Sequence, residues 1–154
     1  MVKINNIAIN GIAHIALSVK CLKISKVFYM ELMPFLGLNI VHESNKSIYF
    51  IGSKTGILIQ EIEKKKILSM FSQNNIGLHH FCFRAREKKH IYLLEKKLKS
   101  IKANIVRGPV NGTWAPGYFY ILFEDPDKIR IEVNYVPNKG ILEKNINFNP
   151  SNDY

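Results

Sequence analysis

Apolar and polar positions alternate with a period of two near the start of the chain, and the same pattern returns later. In HIALSV, His14, Ala16 and Ser18 fall on one side of an extended strand, with Ile15, Leu17 and Val19 on the other. In GLHHFCFRA, Gly77 to Ala85, the sides are His80, Cys82 and Arg84 against Phe81, Phe83 and Ala85. The more apolar side of each predicts contact with a helix, which leaves both histidines on the opposite, concave side. Gly11 laid on Gly77 brings His14 onto His80, because 77−11 and 80−14 are both 66. Each copy then enters a helix-like stretch in phase with the other: Val27, Phe28 and Leu32 in the first, Leu93, Leu94 and Leu98 in the second. Each closes on Asn39-Ile40-Val41 or Asn104-Ile105-Val106. One strand-helix-strand plan is written twice.

The remaining elements follow from turn residues. Ser25 is expected to cap the first helix, which runs to about Leu32 and ends at Pro34 and Gly37. Strands are predicted over 39–43, 47–52 and 56–62, then a basic connector, helical in part, over 64–75. In the second copy a helix spans 87–100 and strands span 104–107, 119–124 and 129–135, with Asp125-Pro126-Asp127-Lys128 as the last tight turn. Residues 1–10 read as a lead-in and 138–154 as a loosely held tail. Gly108 to Gly117 is the longest irregular stretch between strands and carries the only tryptophan, Trp114. Trp114 is either part of a lid or substrate wall, or a plug at the edge of the core.

Composition narrows the class. With 154 residues and 47% hydrophobic positions, the chain fits one domain of two modules sharing a core, module one about 11–63 and module two about 77–137. No apolar run approaches the ~20 residues of a membrane span. The start lacks a signal-peptide pattern, and two cysteines are too few for a disulfide framework. A cytoplasmic protein with no membrane partner is expected. The net charge of +10 is compatible with an anionic partner. However, runs such as Glu63-Lys64-Lys65-Lys66 include carboxylates and read as solvated faces, so no nucleic-acid partner is expected.

Alternation in the last strand of each copy gives the candidate chemistry. In KIRIEVNY, Arg130, Glu132 and Asn134 share a face opposite Ile131 and Val133. In GILIQEI, Leu58, Gln60 and Ile62 oppose Ile57, Ile59 and Glu61. Allowing for a longer loop in the second copy, Gln60 is the counterpart of Glu132. His14, Gln60, His80 and Glu132 then form a pseudo-twofold set of metal-ligand types. Two imidazoles and a carboxylate on rigid strands suit one divalent ion, Zn, Ni, Co, Mn or Fe(II), without choosing among them. Gln60 either binds or leaves a position open. His79 alternates to the helix side and is not counted; His42 and His90 have no repeat partner and are read as structural.

At these residues the chain resembles the vicinal oxygen chelate superfamily of glyoxalase I, methylmalonyl-CoA epimerase, fosfomycin-resistance proteins, bleomycin-binding proteins and extradiol dioxygenases. The resemblance covers about residues 11 to 137 and rests on HIALSV, FYMELMPFLGL, GLHHFCFRA and FEDPDKIRIEVNYVP. It implies an α+β fold of two tandem βαβββ modules forming a half-open barrel, with His14, Gln60, His80 and Glu132 as ligands. The GLHH start and the Gln at position 60 resemble the epimerase branch. The resemblance further implies Glu132 as the proton-transfer base, a metal-stabilised enolate, a small-molecule substrate and a homodimer. Three departures bear on it. Lys128 replaces the usual turn Gly. Leu122 stands where ring-cleaving dioxygenases have Tyr, and Thr113-Trp114-Ala115 holds no His.

The expectation is a metal-dependent lyase or isomerase of glyoxalase or epimerase type, acting on a small carbonyl or acyl substrate. Arg84, Arg130, Asn134, Tyr120 and Trp114 are its candidate substrate contacts. Arg130 alternatively belongs to a salt bridge, and Tyr118 and Tyr120 either line the cavity or belong to the core. The competing readings are an Fe(II) oxygenase using His14, His80 and Glu132 as a facial triad, and a drug-sequestering protein without chemistry.

Overall fold

Leu22, Ser25, Phe28, Tyr29, Leu32 and Met33 recur at helical spacing and are all buried, which fixes how the first helix meets its sheet. In the computed structural model, which describes residues 9–52, 54–67 and 69–139, the chain divides into two units, Met1–Lys66 and Ile67–Tyr154. Most of the expected lead-in and tail lies outside the described residues.

The first unit runs β1 (His14–Val19), α1 (Leu22–Phe35), β2 (Asn39–Glu43), β3 (Ser47–Gly52) and β4 (Thr55–Glu61). Its sheet has the order β1-β4-β3-β2, with β1 parallel to β4 and the other pairs antiparallel. Leu17, Val19, Ile48, Phe50, Ile57 and Ile59 are buried on the α1 side. A 3-10 turn, Lys64–Lys66, is the helical part of the connector. The second unit repeats the plan as β5 (Phe81–Arg84), α2 (Lys88–Ser100), β6 (Asn104–Asn111), β7 (Phe119–Glu124) and β8 (Arg130–Tyr135), in the order β5-β8-β7-β6. Ile91, Leu94 and Leu98 of α2 are buried, as are Phe81, Ile121, Phe123, Ile131 and Val133 of its sheet. The architecture is the expected α+β pair of βαβββ modules.

Several details differ from the sequence reading. Of the residues in phase, Phe28, Leu32, Leu94 and Leu98 are buried, whereas Val27 and Leu93 face outward. Ser25 does not cap α1; it is buried within the helix, which begins at Leu22. The reason is a carboxylate from elsewhere: the Leu22 backbone N–H donates to Glu61 Oε2 at 2.7 Å. Pro34 lies inside the last turn, and the helix continues to Phe35. The predicted irregular stretch is also shorter, because Gly108 to Asn111 continue β6, with register shifts between Ile105 and Val110 that absorb the misfit.

Both helices end on the same motif. Leu38 N–H bonds Met33 C=O and Gly37 N–H bonds Pro34 C=O; Ala103 N–H bonds Leu98 C=O and Lys102 N–H bonds Lys99 C=O. The residue in the left-handed region is Gly37 (φ 84°) in the first unit and Lys102 (φ 55°) in the second. A side chain at this conformation costs roughly 1–2 kcal/mol. Lys102→Gly is therefore expected to raise stability by several tenths to about 1 kcal/mol and Gly37→Ala to lower it by about 1 kcal/mol, read by urea unfolding. Glu61→Ala is expected to cost about 1 kcal/mol through loss of the α1 cap, in the same assay.

Candidate metal centre

Strand β8 carries the site of the second unit. Its period of two turns Ile131 and Val133 to α2 and turns Arg130, Glu132 and Asn134 the other way. The cross-strand partners Tyr120 (to Asn134), Leu122 (to Glu132) and Glu124 (to Arg130) share that face. The face is not bare. Ala115, Tyr118, Tyr120, Leu122 and Val136 form a second buried cluster on it, with Val110 and Trp114 packed against them. Glu132 lies in this layer at 0% exposure.

A carboxylate so placed needs donors. The Tyr118 hydroxyl donates to Glu132 Oε1, and the Cys82 thiol donates to the same oxygen at 3.3 Å. Asn134 Nδ2 donates in turn to the Tyr118 oxygen at 2.8 Å. On the other oxygen, His80 Nε2 stands 3.6 Å from Glu132 Oε2. The His80 ring meets the His79 ring, Nδ1 to Nδ1 at 2.7 Å. Burial holds the His80 imidazole below its ordinary value; Glu132 pulls the other way, and His79 and Arg130 add to the lowering. Burial pushes the Cys82 thiol well up, reinforced by Glu132, and burial with the Glu132 hydrogen bond does the same to the Tyr118 hydroxyl. His80 is thus a neutral imidazole at pH 7, the form that ligates metals.

In the first unit the corresponding face carries His14, Ala16 and Ser18 of β1, all exposed. The His14 ring packs edge-on to Tyr49 at 6.3 Å between centroids. Tyr49 lies across Gly56, where an added Cβ would meet its hydroxyl at 2.6 Å. Register then corrects the match between the two copies. His14 is level with Gly56 and Ala16 with Leu58, while Cys82 is level with Glu132. The offset 132−58 is 74, and so is 134−60: Leu58 is the counterpart of Glu132, and Gln60 that of Asn134. Gln60 is also four residues beyond the partner of His14, about 13 Å along the strand. Counting through the loops had displaced the match by one full pleat.

The predicted substrate contacts separate in the same way. Arg84 Nη2 bonds the C=O groups of Val136 and Asn138, both at 2.9 Å, and so straps the chain after β8. Arg130 Nε pairs with Glu124 at 3.7 Å, the salt-bridge alternative. Tyr120 is fully buried against Tyr118, and Trp114 packs on the same cluster, as a plug at the core edge. Asn134 serves the Tyr118 hydroxyl. Sequence reasoning left out His79, whose ring meets that of His80, and left Tyr118 between cavity and core. His79 was excluded by alternation, which does not apply ahead of β5, where the strand has not yet begun. The role of Tyr118 was legible only by extending the β7 alternation back by one residue.

The donor set fits a metal ion in part. Two ligand bonds of about 2.0–2.1 Å spanning the 3.6 Å between His80 Nε2 and Glu132 Oε2 require an open angle of roughly 120°, within reach of tetrahedral-type coordination. Among the described residues no three His, Cys, Asp or Glu side chains are grouped to hold a metal ion. No helix among them is long and apolar enough to cross a membrane.

Comparison with known proteins agrees with the fold. The family model described as Glyoxalase/Bleomycin resistance protein/Dioxygenase superfamily matches residues 11–133. The chain belongs to this superfamily. Among solved structures it is similar to a glyoxalase-type protein from Bacillus halodurans at 24% identity and TM-score 0.75, covering 82% of this chain and 96% of that one. An integron cassette protein from the mobile metagenome of the Halifax Harbour sewage outfall is 30% identical at TM-score 0.61, covering 83% and 100%. Lactoylglutathione lyase from Agrobacterium tumefaciens is 20% identical at TM-score 0.59, covering 82% and 93%. No curated protein matches the chain.

The lowered His80 value sets a pH dependence for the metal-free protein. Above the ordinary histidine value of 6.5 the imidazole is neutral folded and unfolded, and its full contribution is present. As pH falls below 6.5 the unfolded chain takes the proton first, and stability is lost down to the lowered folded value. Wild type in EDTA is expected to lose more unfolding free energy between pH 7.5 and 5.5 than His80→Gln, by at most about 1.4 kcal/mol per pH unit. Equal losses in the two proteins count against it.

Proposed function

We propose that the chain is a metal-dependent lyase or isomerase that acts on a small carbonyl or acyl substrate. The observation that carries the reading is the pair His80 and Glu132: a neutral imidazole and a fully buried carboxylate on one face, 3.6 Å apart. His80 and Glu132 are the ligands supplied by the second unit, and His14 holds the matching strand position of the first. A divalent ion held there would act as a Lewis acid on a substrate carbonyl and ease loss of a proton beside it. Within the chain, Glu132 is the group that takes the proton. Tyr118 holds its Oε1, with the Cys82 thiol as a weaker second donor, which leaves Oε2 as the oxygen turned toward His80. The packed layer of Tyr120, Leu122 and Trp114 keeps water from that carboxylate. The lyase named among the structural neighbours is consistent with this chemistry but shares the fold alone. A homodimer is the expected assembly.

One observation favours a second reading. With Leu58 rather than Gln60 as the counterpart of Glu132, the set reduces to two histidines and one carboxylate, the arrangement used by non-haem Fe(II) oxygenases.

The test is metal content of protein purified without a His tag. About one ion per chain is expected in wild type and in Gln60→Ala, with at least tenfold weaker uptake in His14→Ala, His80→Ala and Glu132→Ala. A wild type that neither carries metal nor takes it up on titration overturns the enzyme reading in favour of a small-molecule binding protein. Iron together with oxygen consumption on candidate substrates selects the oxygenase over the isomerase.

A further inference from the structure

Tyr118 is held through its backbone, its ring and its hydroxyl. Its backbone N–H bonds Ala115 C=O at 3.0 Å, and its C=O accepts from Gly112 N–H at 2.9 Å. Its ring stands edge-on to Tyr120, with centroids 5.7 Å apart. A Cβ at Gly112 would meet Tyr118 Cδ1 at 2.8 Å, so the ring occupies the space that a glycine leaves. Its oxygen accepts from Asn134 Nδ2 at 2.8 Å, and its single proton goes to Glu132 Oε1. A hydroxyl has one proton to give, so the carboxylate fixes the sense of this chain: Asn134 donates to Tyr118, and Tyr118 donates to Glu132.

We infer that Tyr118 is the positioning residue of the Glu132 carboxylate, holding Oε1 so that Oε2 is the single oxygen presented toward His80. The inference rests on the reading of His80 and Glu132 as metal ligands. An O–H donor to a carboxylate is among the stronger hydrogen bonds, whereas the Cys82 S–H on the same oxygen is a weak donor. Tyr118 therefore sets the orientation and Cys82 adds little. Without the hydroxyl, the carboxylate is released to turn and to offer both oxygens to one ion. Partners of ligating carboxylates typically change metal affinity 10–100-fold when removed.

The experiment uses Co(II), whose visible absorption reports coordination number, on wild type, Tyr118→Phe and Asn134→Leu. Tyr118→Phe is expected to bind Co(II) 10–100-fold more weakly and, at saturation, to show weaker visible bands, the sign of a carboxylate gone from one-oxygen to two-oxygen binding. A purely structural role for Tyr118 would lower stability and leave the spectrum of the saturated protein unmoved. A folded Tyr118→Phe with wild-type affinity and spectrum overturns the inference alone. A wild type that takes up no Co(II) overturns the metal reading and the inference with it. If Tyr118→Phe does not fold, Asn134→Leu decides by the same readout: a changed spectrum supports the positioning chain and an unchanged one overturns it.

Discussion

A carboxylate that is fully buried on the inner face of a sheet dictates much of what surrounds it. An ionised group in such a place is tolerated only with hydrogen-bond donors on its oxygens. Glu132 has them from a tyrosine and a cysteine on Oε1, while His80 Nε2 stands 3.6 Å from Oε2. Each donor constrains another part of the unit. Tyr118 requires the space beside Gly112 and the amide of Asn134; Cys82 requires β5 to run parallel to β8 in one register. The loop from Gly112 to Tyr118, the last strand and the first strand are thus tied to one negative charge.

The two units share topology, helix-ending motifs and the buried faces that meet their helices, yet they differ on the opposite face. Where the second unit has Cys82, Arg84, Glu132 and Asn134, the first has Ala16, Ser18, Leu58 and Gln60. Backbone hydrogen bonding and the apolar side of each strand account for the fold twice over. The other side is left to vary, and there the second unit built a charged and polar network while the first carries uncharged residues. Only the histidine is common to both, His14 and His80.

The fold was legible because its determinants are periodic: alternation in HIALSV and FCFR, helical spacing in Phe28 and Leu32, and turn chemistry in Asp125-Pro126-Asp127-Lys128. That turn forms with Asp125 Oδ1 accepting from the Asp127 and Ile129 N–H groups, and Lys128 takes the left-handed conformation usually left to Gly. Glu132 was legible for the same reason, as a residue on the polar side of a strand, and His80 by the repeat that lays it on His14. What failed were readings that depended on loop length or on distant partners. Gln60 was matched to Glu132 by counting through loops of unequal length, and pairing register, which no single strand carries, moved the match to Leu58. Ser25 looked like a cap because its true substitute, Glu61, lies 39 residues in sequence from the Leu22 N–H that it accepts. Gly108 to Asn111 looked irregular because a strand that shifts register loses its period of two.

The repeat also supplies an internal control on the meaning of Glu132. At the equivalent position of the first unit, the same fold carries Leu58, half-buried between the buried Ile57 and Ile59, with no charge to satisfy. An apolar side chain is the cheaper solution for such a site, since replacing a buried ionic group by packed hydrophobic residues is often neutral or stabilising. The second unit instead keeps a fully buried carboxylate and surrounds it with Tyr118, Cys82, Asn134 and His80. Stability alone does not explain that choice. A network that is costly to build and that places donors on one chosen carboxylate oxygen is what a site requires when a carboxylate must keep its direction inside a protein.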